Sequence, residues 1–334
     1  MQLISHVAHL LDGGAGLWLA PGQGQAPDGC VVVATSGSTG DAKLVVLHRD
    51  ALTAAARAAR ERLGFDATWH LTLAPQYVAG LMVLVRGHLG DGVRTAASDL
   101  SGLDPAPGRN CLSIVATQLY RALESPSVTA MLARFDAVLV GGAALRPELR
   151  SRAEAEGVRV IETYGMSETC GGVVWDGAPL PGVEVTLGER GRIGIGGPTV
   201  FEGYLDDSGA LRPSAVNGMV VTNDRGHFEA GRLVIDGRFD DVVISGGVNV
   251  DLAQVRRAVA ALDPDTDVLA VDDAEWGARV VLFATSGTLA SWRDDLRGTL
   301  PPAALPRQLV TLDALPRTGG GKPDRGILLG LVQS

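Results

Sequence analysis

Ala137-Val138-Leu139-Val140-Gly141-Gly142, a helix start at Pro147-Glu148, a stop at Gly157, and then Val158-Arg159-Val160-Ile161 form the stretch that decides the fold class. A short branched apolar run ending in glycines reads as a buried strand and its turn. Proline suits the first helical turn because the N–H it lacks has no partner there, and glycine suits the stop because it accepts a left-handed conformation. The second apolar run is the next strand, so the unit is βαβ and its sheet is parallel. The segment Glu162-Thr163-Tyr164-Gly165-Met166-Ser167-Glu168-Thr169 is then expected as a loop at the carboxyl end of a strand, where open α/β sheets place their ligands.

Outward from this unit, Val/Ile/Leu runs alternate with Ala/Arg/Glu-rich stretches over the first two-thirds of the chain, which extends the parallel reading. From about Pro179 the texture changes to short, glycine-rich alternating segments such as Arg192-Ile193-Gly194-Ile195-Gly196-Gly197 and Gly231-Arg232-Leu233-Val234-Ile235-Asp236-Gly237. These predict strands of a more twisted or barrel-like sheet. A strand Val242-Val243-Ile244, a turn at Gly246-Gly247 and a helix capped by Asp251 and running through Leu262 open a second, smaller α/β unit from about Asp240.

The chain has 334 residues, enough for about two domains, and 46% hydrophobic against 20% charged residues marks it as globular. A net charge of −9 argues against a general nucleic-acid binder, so an anionic ligand must be met by local donors. Cys30, Cys111 and Cys170 are odd in number and far apart, which fits neither a disulfide framework nor a zinc site. The apolar start Leu3-Ile4 to Leu10-Leu11 lacks a basic flank and is broken by Asp12, so it predicts an amphipathic helix rather than a signal peptide. No run approaches the ~20 apolar residues of a membrane span, and the expected location is the cytoplasm.

Behind the apolar run Cys30-Val31-Val32-Val33-Ala34 stands Thr35-Ser36-Gly37-Ser38-Thr39-Gly40-Asp41-Ala42-Lys43. Glycines let backbone approach an anion, hydroxyls donate, and lysine adds a point charge. The order differs from a Walker loop, since two residues separate Gly40 from Lys43 and no hydroxyl follows. Taken alone, such a segment is equally a surface turn. Glu168, flanked by Ser167 and Thr169, has the oxygen-rich surroundings Mg²⁺ prefers, with an ordinary loop carboxylate as the alternative. Asp240-Asp241 after Gly237-Arg238 and the tail Leu315-Pro316-Arg317-Thr318-Gly319-Gly320-Gly321-Lys322 are each ambiguous by themselves.

In order, these segments resemble the adenylate-forming superfamily of acyl-CoA synthetases, adenylation domains and luciferases. The resemblance rests on Thr35 to Lys43, Tyr164-Gly165-Met166-Ser167-Glu168, Gly197-Pro198 with Gly203-Tyr204-Leu205, Gly237 to Asp241 with Gly246-Gly247, and Pro316 to Lys322. Within the superfamily, Ser113 to Leu119, Val140 to Ala144, and Pro75-Gln76-Tyr77-Val78-Ala79-Gly80-Leu81 with Arg86 are similar to the 2-succinylbenzoate–CoA ligases of menaquinone biosynthesis. The resemblance implies an α/β fold: a large N-terminal domain (1–238) with mostly parallel sheets and a small barrel-like β subdomain, and a small mobile C-terminal α+β lid (239–334).

It also implies the site. Ser36, Ser38, Thr39, Gly40 and Lys43 would cradle the β- and γ-phosphates of ATP, and Thr169 and Glu168 would address the α-phosphate and Mg²⁺. Gly141, Gly142, Ala143 and Tyr164 would frame adenine, Asp224 the ribose, and Arg238 the ribose or phosphate. Lys322 would be the adenylation lysine and Asp240 the pivot of the lid. Tyr77, Val78, Ala79, Gly80, Arg86, Thr117 and Gln118 would line the acyl pocket, with Arg86 either meeting a second carboxylate or lying on a helix surface.

The partners implied are a small carboxylic acid, ATP and coenzyme A, with no nucleic acid and no stable membrane insertion, and a homodimer left open. A carrier-protein acceptor, another acid, or a noncatalytic adenylate binder are the rival readings. Three departures stand out. The phosphate loop comes early, which reads as a shortened N-terminal portion; Thr222-Asn223-Asp224 replaces Thr-Gly-Asp; and Tyr77 stands where such ligases often carry histidine.

Overall fold

The strand Cys30–Ala34 is buried along its whole length and runs antiparallel to Leu44–His48, from Cys30↔His48 to Ala34↔Leu44. This is the computed structural model of the chain, which describes residues 2–35, 43–318 and 323–333. The loop between the two strands is therefore a hairpin connection, with its neck closed by Thr35 N donating to Lys43 O at 2.9 Å and Lys43 N to Thr35 Oγ1 at 3.0 Å. A strand-to-helix phosphate loop is a different construction. On the other side of Leu44–His48 lies Gly203–Leu205, from Gly203↔Val46 to Leu205↔Leu44. A remote motif is thereby brought beside the hairpin.

The central sheet bears out the parallel reading. Its spatial order is Gly92–Thr95, Thr68–Leu71, Asn110–Val115, Ala137–Gly141, Val160–Met166, all parallel, followed by the antiparallel Gly171–Trp175 and Ala178–Pro179. The βαβ unit closes through the helix Pro147–Ala155, and Gly157 takes the left-handed φ of 81° expected of a stop. One expectation is corrected. The residues from Glu162 to Met166 are not loop but the second half of the strand, because Tyr164 pairs with Val174 and Met166 with Gly171 of the returning strand. Ser167–Thr169 is then a single 3-10 turn.

The helix Val78–His88 lies against this sheet, buried from Gly80 to Gly87. Beyond residue 183 an antiparallel sheet follows, in the order Glu184–Leu187, Arg192–Gly196, Met219–Glu229, Arg232–Arg238. After Phe239–Asp241 come the hairpin Val242–Ser245 and Val248–Asp251, the strands Asp267–Asp273, Gly277–Ala284 and Gln308–Thr311, and three helices. Asp251 caps the helix Leu252–Leu262 as expected, its carboxylate accepting from Ala253 N at 2.9 Å. This C-terminal part has a core of its own around Val255, Val268, Leu282 and Trp292. Among the described residues, no helix is long and apolar enough to cross a membrane.

Candidate active site

Lys43 and Glu168, far apart in sequence, meet through Tyr204, to which the motif assigns no role. Tyr204 sits on the strand beside Leu44–His48, its hydroxyl donates to Glu168 Oε1 at 2.7 Å, and the Lys43 ammonium lies 5.0 Å from its ring centroid. Burial, and then Glu168, push the Tyr204 hydroxyl above its ordinary range, so it stays a donor. The backbone reinforces the contact, since Phe201 N donates to Glu168 O at 2.9 Å and the Phe201 ring packs edge-on against Tyr204. Ser36, Ser38, Thr39 and Gly40 lie outside the described residues.

Thr169 is engaged with its own turn. Its side chain is wholly buried, and its hydroxyl is bonded to Met166 O (3.1 Å), Gly171 O (2.9 Å) and Met166 N (3.0 Å). Its one donor hydrogen and one of its acceptor sites go to the turn, so it shapes the backbone that carries Glu168. Glu168 has one carboxylate oxygen held by Tyr204, and the other has no hydrogen-bond partner among the described residues. No group of three His, Cys, Asp or Glu residues fit to hold a metal exists among the described residues.

A second cluster forms where the strand Val160–Met166 faces the antiparallel sheet. Tyr164 donates to Asp224 Oδ2 at 2.7 Å, and Arg238 Nη1 reaches Asp224 Oδ1 at 3.4 Å. Arg238 and Asp224 are register partners on adjacent strands, which explains why they meet. Asp224 is buried, and its N–H donates to Thr222 Oγ1 at 3.0 Å, so Asn223 does not disturb the turn. Arg238 also forks onto Asp240 with bonds of 2.8 and 2.7 Å, which raises the guanidinium's pKa and lowers that of Asp240. Burial and the neighbouring Asp224 likewise push the Tyr164 hydroxyl up. Gly141 ends the adjoining strand where an added Cβ would lie 2.5 Å from Thr163 Oγ1, Gly142 takes φ 84°, and Gly142 and Ala143 are exposed beside it.

The acyl-pocket candidates divide. Val78, Met82 and Arg86 share one helix face at four-residue spacing, and a Cβ placed on Gly171 would lie 3.9 and 3.7 Å from the side chains of Val78 and Met82. That face therefore looks toward the turn carrying Glu168. Arg86 is not a surface arginine: it is 7% exposed, its guanidinium lies 5.1 Å from the Trp69 ring centroid, and its Nε has no hydrogen-bond partner. Burial pulls its pKa down to about 10, which leaves it cationic at neutral pH.

Gln118 is engaged with nearby backbone. Its Oε1 accepts from Val115 N at 2.9 Å and its Nε2 donates to Ser98 O at 2.7 Å, so it caps its own helix and ties down a loop. Gly80 serves packing, because an added Cβ would lie 2.4 Å from Ala74 O. Tyr77 precedes the helix, half-buried, with Ala79 exposed behind it, and Thr117 is half-buried at the start of the helix Ala116–Leu123.

Lys322 lies outside the described residues, but the ends of its loop are joined: Arg317 bridges Pro323, and Asp324 N donates to Pro316 O at 2.8 Å. The C-terminal part meets the rest through arginines. Arg225 pairs with Asp251, Arg257 Nη1 donates to Asp236 O at 2.8 Å, and Arg146 Nη1 donates to Ala260 O at 3.0 Å.

Comparison with known proteins agrees with this fold. The AMP-binding enzyme family matches residues 18–205. A probable 2-succinylbenzoate–CoA ligase of Mycobacterium tuberculosis is 39% identical over 324 residues, covering 90% of this chain and 84% of that protein. The 2-succinylbenzoate–CoA ligase of Escherichia coli is 31% identical over 321 residues, covering 91% and 69%. Among solved structures, an E. coli MenE variant with bound OSB-AMS superposes with a TM-score of 0.75 at 28% identity, covering 94% of this chain and 72% of that one.

Proposed function

The chain belongs to the AMP-binding enzyme family, and from that premise we propose that it is an AMP-forming acid–thiol ligase joining 2-succinylbenzoate to coenzyme A in menaquinone biosynthesis. The observation that carries the reading is the pair of clusters flanking one strand. Val160–Met166 presents Tyr164 to Asp224 and Arg238, and leads directly into the turn that holds Glu168 against Tyr204 and Lys43. One end suits a nucleoside and the other a polyphosphate.

In the first half-reaction a carboxylate oxygen bonds to the α-phosphorus of ATP and pyrophosphate leaves; in the second the thiol sulfur bonds to the acyl carbon and AMP leaves. Two anions must approach each other, so the protein's task is positioning and charge compensation. Both Asp224 oxygens are acceptors, suited to ribose hydroxyls, and Tyr164 and Arg238 hold that carboxylate in place. Lys43 supplies a cation at the phosphate end. Glu168 fits Mg²⁺ as a single hard oxygen donor with one oxygen steered by Tyr204, because that ion commonly takes one or two carboxylates and completes its shell with phosphate and water. When bound, Mg²⁺ would neutralise phosphate charge.

The acyl end supports the substrate. 2-Succinylbenzoate brings an aromatic ring and, beyond the reacting carboxylate, a second one. Val78 and Met82 offer apolar contact, and Arg86, one turn further along the same face, offers a buried cation with no acid partner among the described residues. Lys322 is proposed to bridge the attacking oxygen and the α-phosphate, and the lid is proposed to begin at residue 239 and turn about Asp240 between half-reactions.

Pyrophosphate release tests the reading, measured with 2-succinylbenzoate beside benzoate, fatty and amino acids, with free CoA and a carrier protein compared as acceptors. Release with 2-succinylbenzoate and CoA supports it. No release with any acid overturns it in favour of a noncatalytic binder. Lys322→Ala is expected to cost on the order of 3 kcal/mol or more in the adenylation barrier while sparing thioester formation from supplied acyl-adenylate. Equal loss in both halves contradicts the two-orientation mechanism.

A further inference from the structure

The pivot can be confined to two residues. Arg238 is the last residue of the strand Arg232–Arg238 and is register-paired with Asp224, so it moves with the N-terminal part. Asp241 is buried and bound to Arg256 of the helix Leu252–Leu262 at 2.7 Å, so it moves with the C-terminal part. Rotation between the parts must therefore be absorbed at Phe239 and Asp240.

Phe239 is gripped from the antiparallel sheet. The hairpin tip from Gly188 to Arg192 reaches over it, placing the Arg192 guanidinium 4.1 Å and that of Arg190 5.9 Å from the ring centroid. The tip is built for that reach. Arg190 takes a left-handed φ of 56°, which costs a non-glycine residue energy, and an added Cβ at Gly191 would lie 2.6 Å from Gly226 O. Arg192 is braced in turn: its Nη1 donates to Thr222 O at 2.8 Å and to Asn223 Oδ1 at 3.0 Å. Asn223 stands where the resemblance expects glycine, and only a side chain can supply that second acceptor.

We propose that Asn223, Arg192 and Phe239 form a latch on the pivot, with Arg192 a positioning residue that holds the orientation seen here and so sets the balance between the two half-reactions. The inference rests on the proposed two-orientation ligase. A cation over an aromatic face holds best when desolvated and already oriented, and the Asn223 brace supplies the orientation.

Two measurements test it. The first is hydrogen exchange of the backbone amides of residues 239 to 242 in the full chain without substrates. Arg192→Ala and Phe239→Leu are each expected to speed exchange roughly three- to tenfold, with Asn223→Gly and Arg192→Lys falling between them and wild type. The Arg192→Ala/Phe239→Leu double variant should be no faster than either single one, as for two halves of one contact. The second compares adenylate formation with thioester formation from supplied acyl-adenylate, and the two rates should shift in opposite senses. Unchanged exchange, additive singles, or equal scaling of both half-reactions overturns the latch. Exchange needs no substrate, so it is read even where wild type forms no adenylate and the ligase reading itself fails. Asn223→Gly and Arg192→Lys are mild enough to report if the alanine variant does not fold.

Discussion

The proposed nucleotide end and the proposed acyl end of the site are built on opposite plans. Around Asp224 every charged or hydroxyl group has a protein partner: Tyr164 on one oxygen, Arg238 on the other, and Asp240 on Arg238 in turn. At the acyl end Arg86 is as deeply buried as Asp224 yet has an aromatic face beside it and an unpartnered Nε. A saturated cluster is preorganised and binds what fits its geometry. A buried cation without an anion costs stability and is relieved by whatever anion arrives. On the proposed assignment, the common part of the reaction is held by the fold, while the selective part is left for the substrate to complete.

Removing Asp224 should break the saturated plan most severely. Asp224→Ala takes away two charge-assisted acceptors and leaves the half-buried Tyr164 hydroxyl without its acceptor. The expected loss is on the order of 3 kcal/mol in kcat/KM for ATP, about a hundredfold, accompanied by a lower melting temperature. An ATP dependence within a few-fold of wild type would show that the cluster does not serve the nucleotide.

Arg86→Met sharpens the contrast because its two effects have opposite signs. Methionine keeps the volume and removes an uncompensated charge, so stability should hold or rise. The second carboxylate loses its partner, so kcat/KM for 2-succinylbenzoate should fall by roughly 2 kcal/mol while benzoate, with one carboxylate, is little affected. Stability and activity falling together would make Arg86 a structural residue.

Much of this contrast was legible in the residues, and the remainder depended on tertiary pairing. Gly157, Asp251 and the βαβ period act locally, and they appear where the sequence predicts them. Glu168, Asp224 and Arg238 were recognisable by type and motif. Tyr204 had no local signal, because its role arises only when Gly203–Leu205 pairs with Leu44–His48. Thr169 and Gln118 show the same dependence: each is a polar residue beside a motif whose side chain bonds nearby backbone, which residue type alone does not announce. The burial of Arg86 was invisible since the helix Val78–His88 is covered on nearly all sides, which a one-sided reading of the helix does not anticipate.

Tyr204→Phe is a smaller break at the phosphate end. The ring, its contact with Phe201 and the Lys43 ammonium above it all remain, and only the bond to Glu168 Oε1 is lost. A loss of about 1 kcal/mol in adenylation is expected, with more Mg²⁺ needed to reach half-maximal rate and thioester formation from supplied acyl-adenylate unchanged. An unaltered Mg²⁺ requirement would remove Tyr204 from the site.

The smallest effect concerns a third arrangement in the same central sheet, a buried titratable group that is satisfied while neutral. His70 is 1% exposed, shares a hydrogen bond of 3.0 Å with Asn110 Oδ1 and packs edge-on against Phe135. Burial is the main cause that holds its pKa below the ordinary 6.5. A group whose folded pKa is depressed binds more protons when unfolded, so its contribution is fully present above about pH 6.5 and drains away as pH falls toward the folded value. Between pH 7.5 and 5.5 the melting temperature of wild type should therefore fall further than that of His70→Gln, which has no proton to gain. Parallel melting curves across that interval would mean that His70 is as readily protonated in the folded chain as in the unfolded one. Burial would then impose no penalty on the imidazolium, and Arg86 would stand as the more exceptional of the two buried bases.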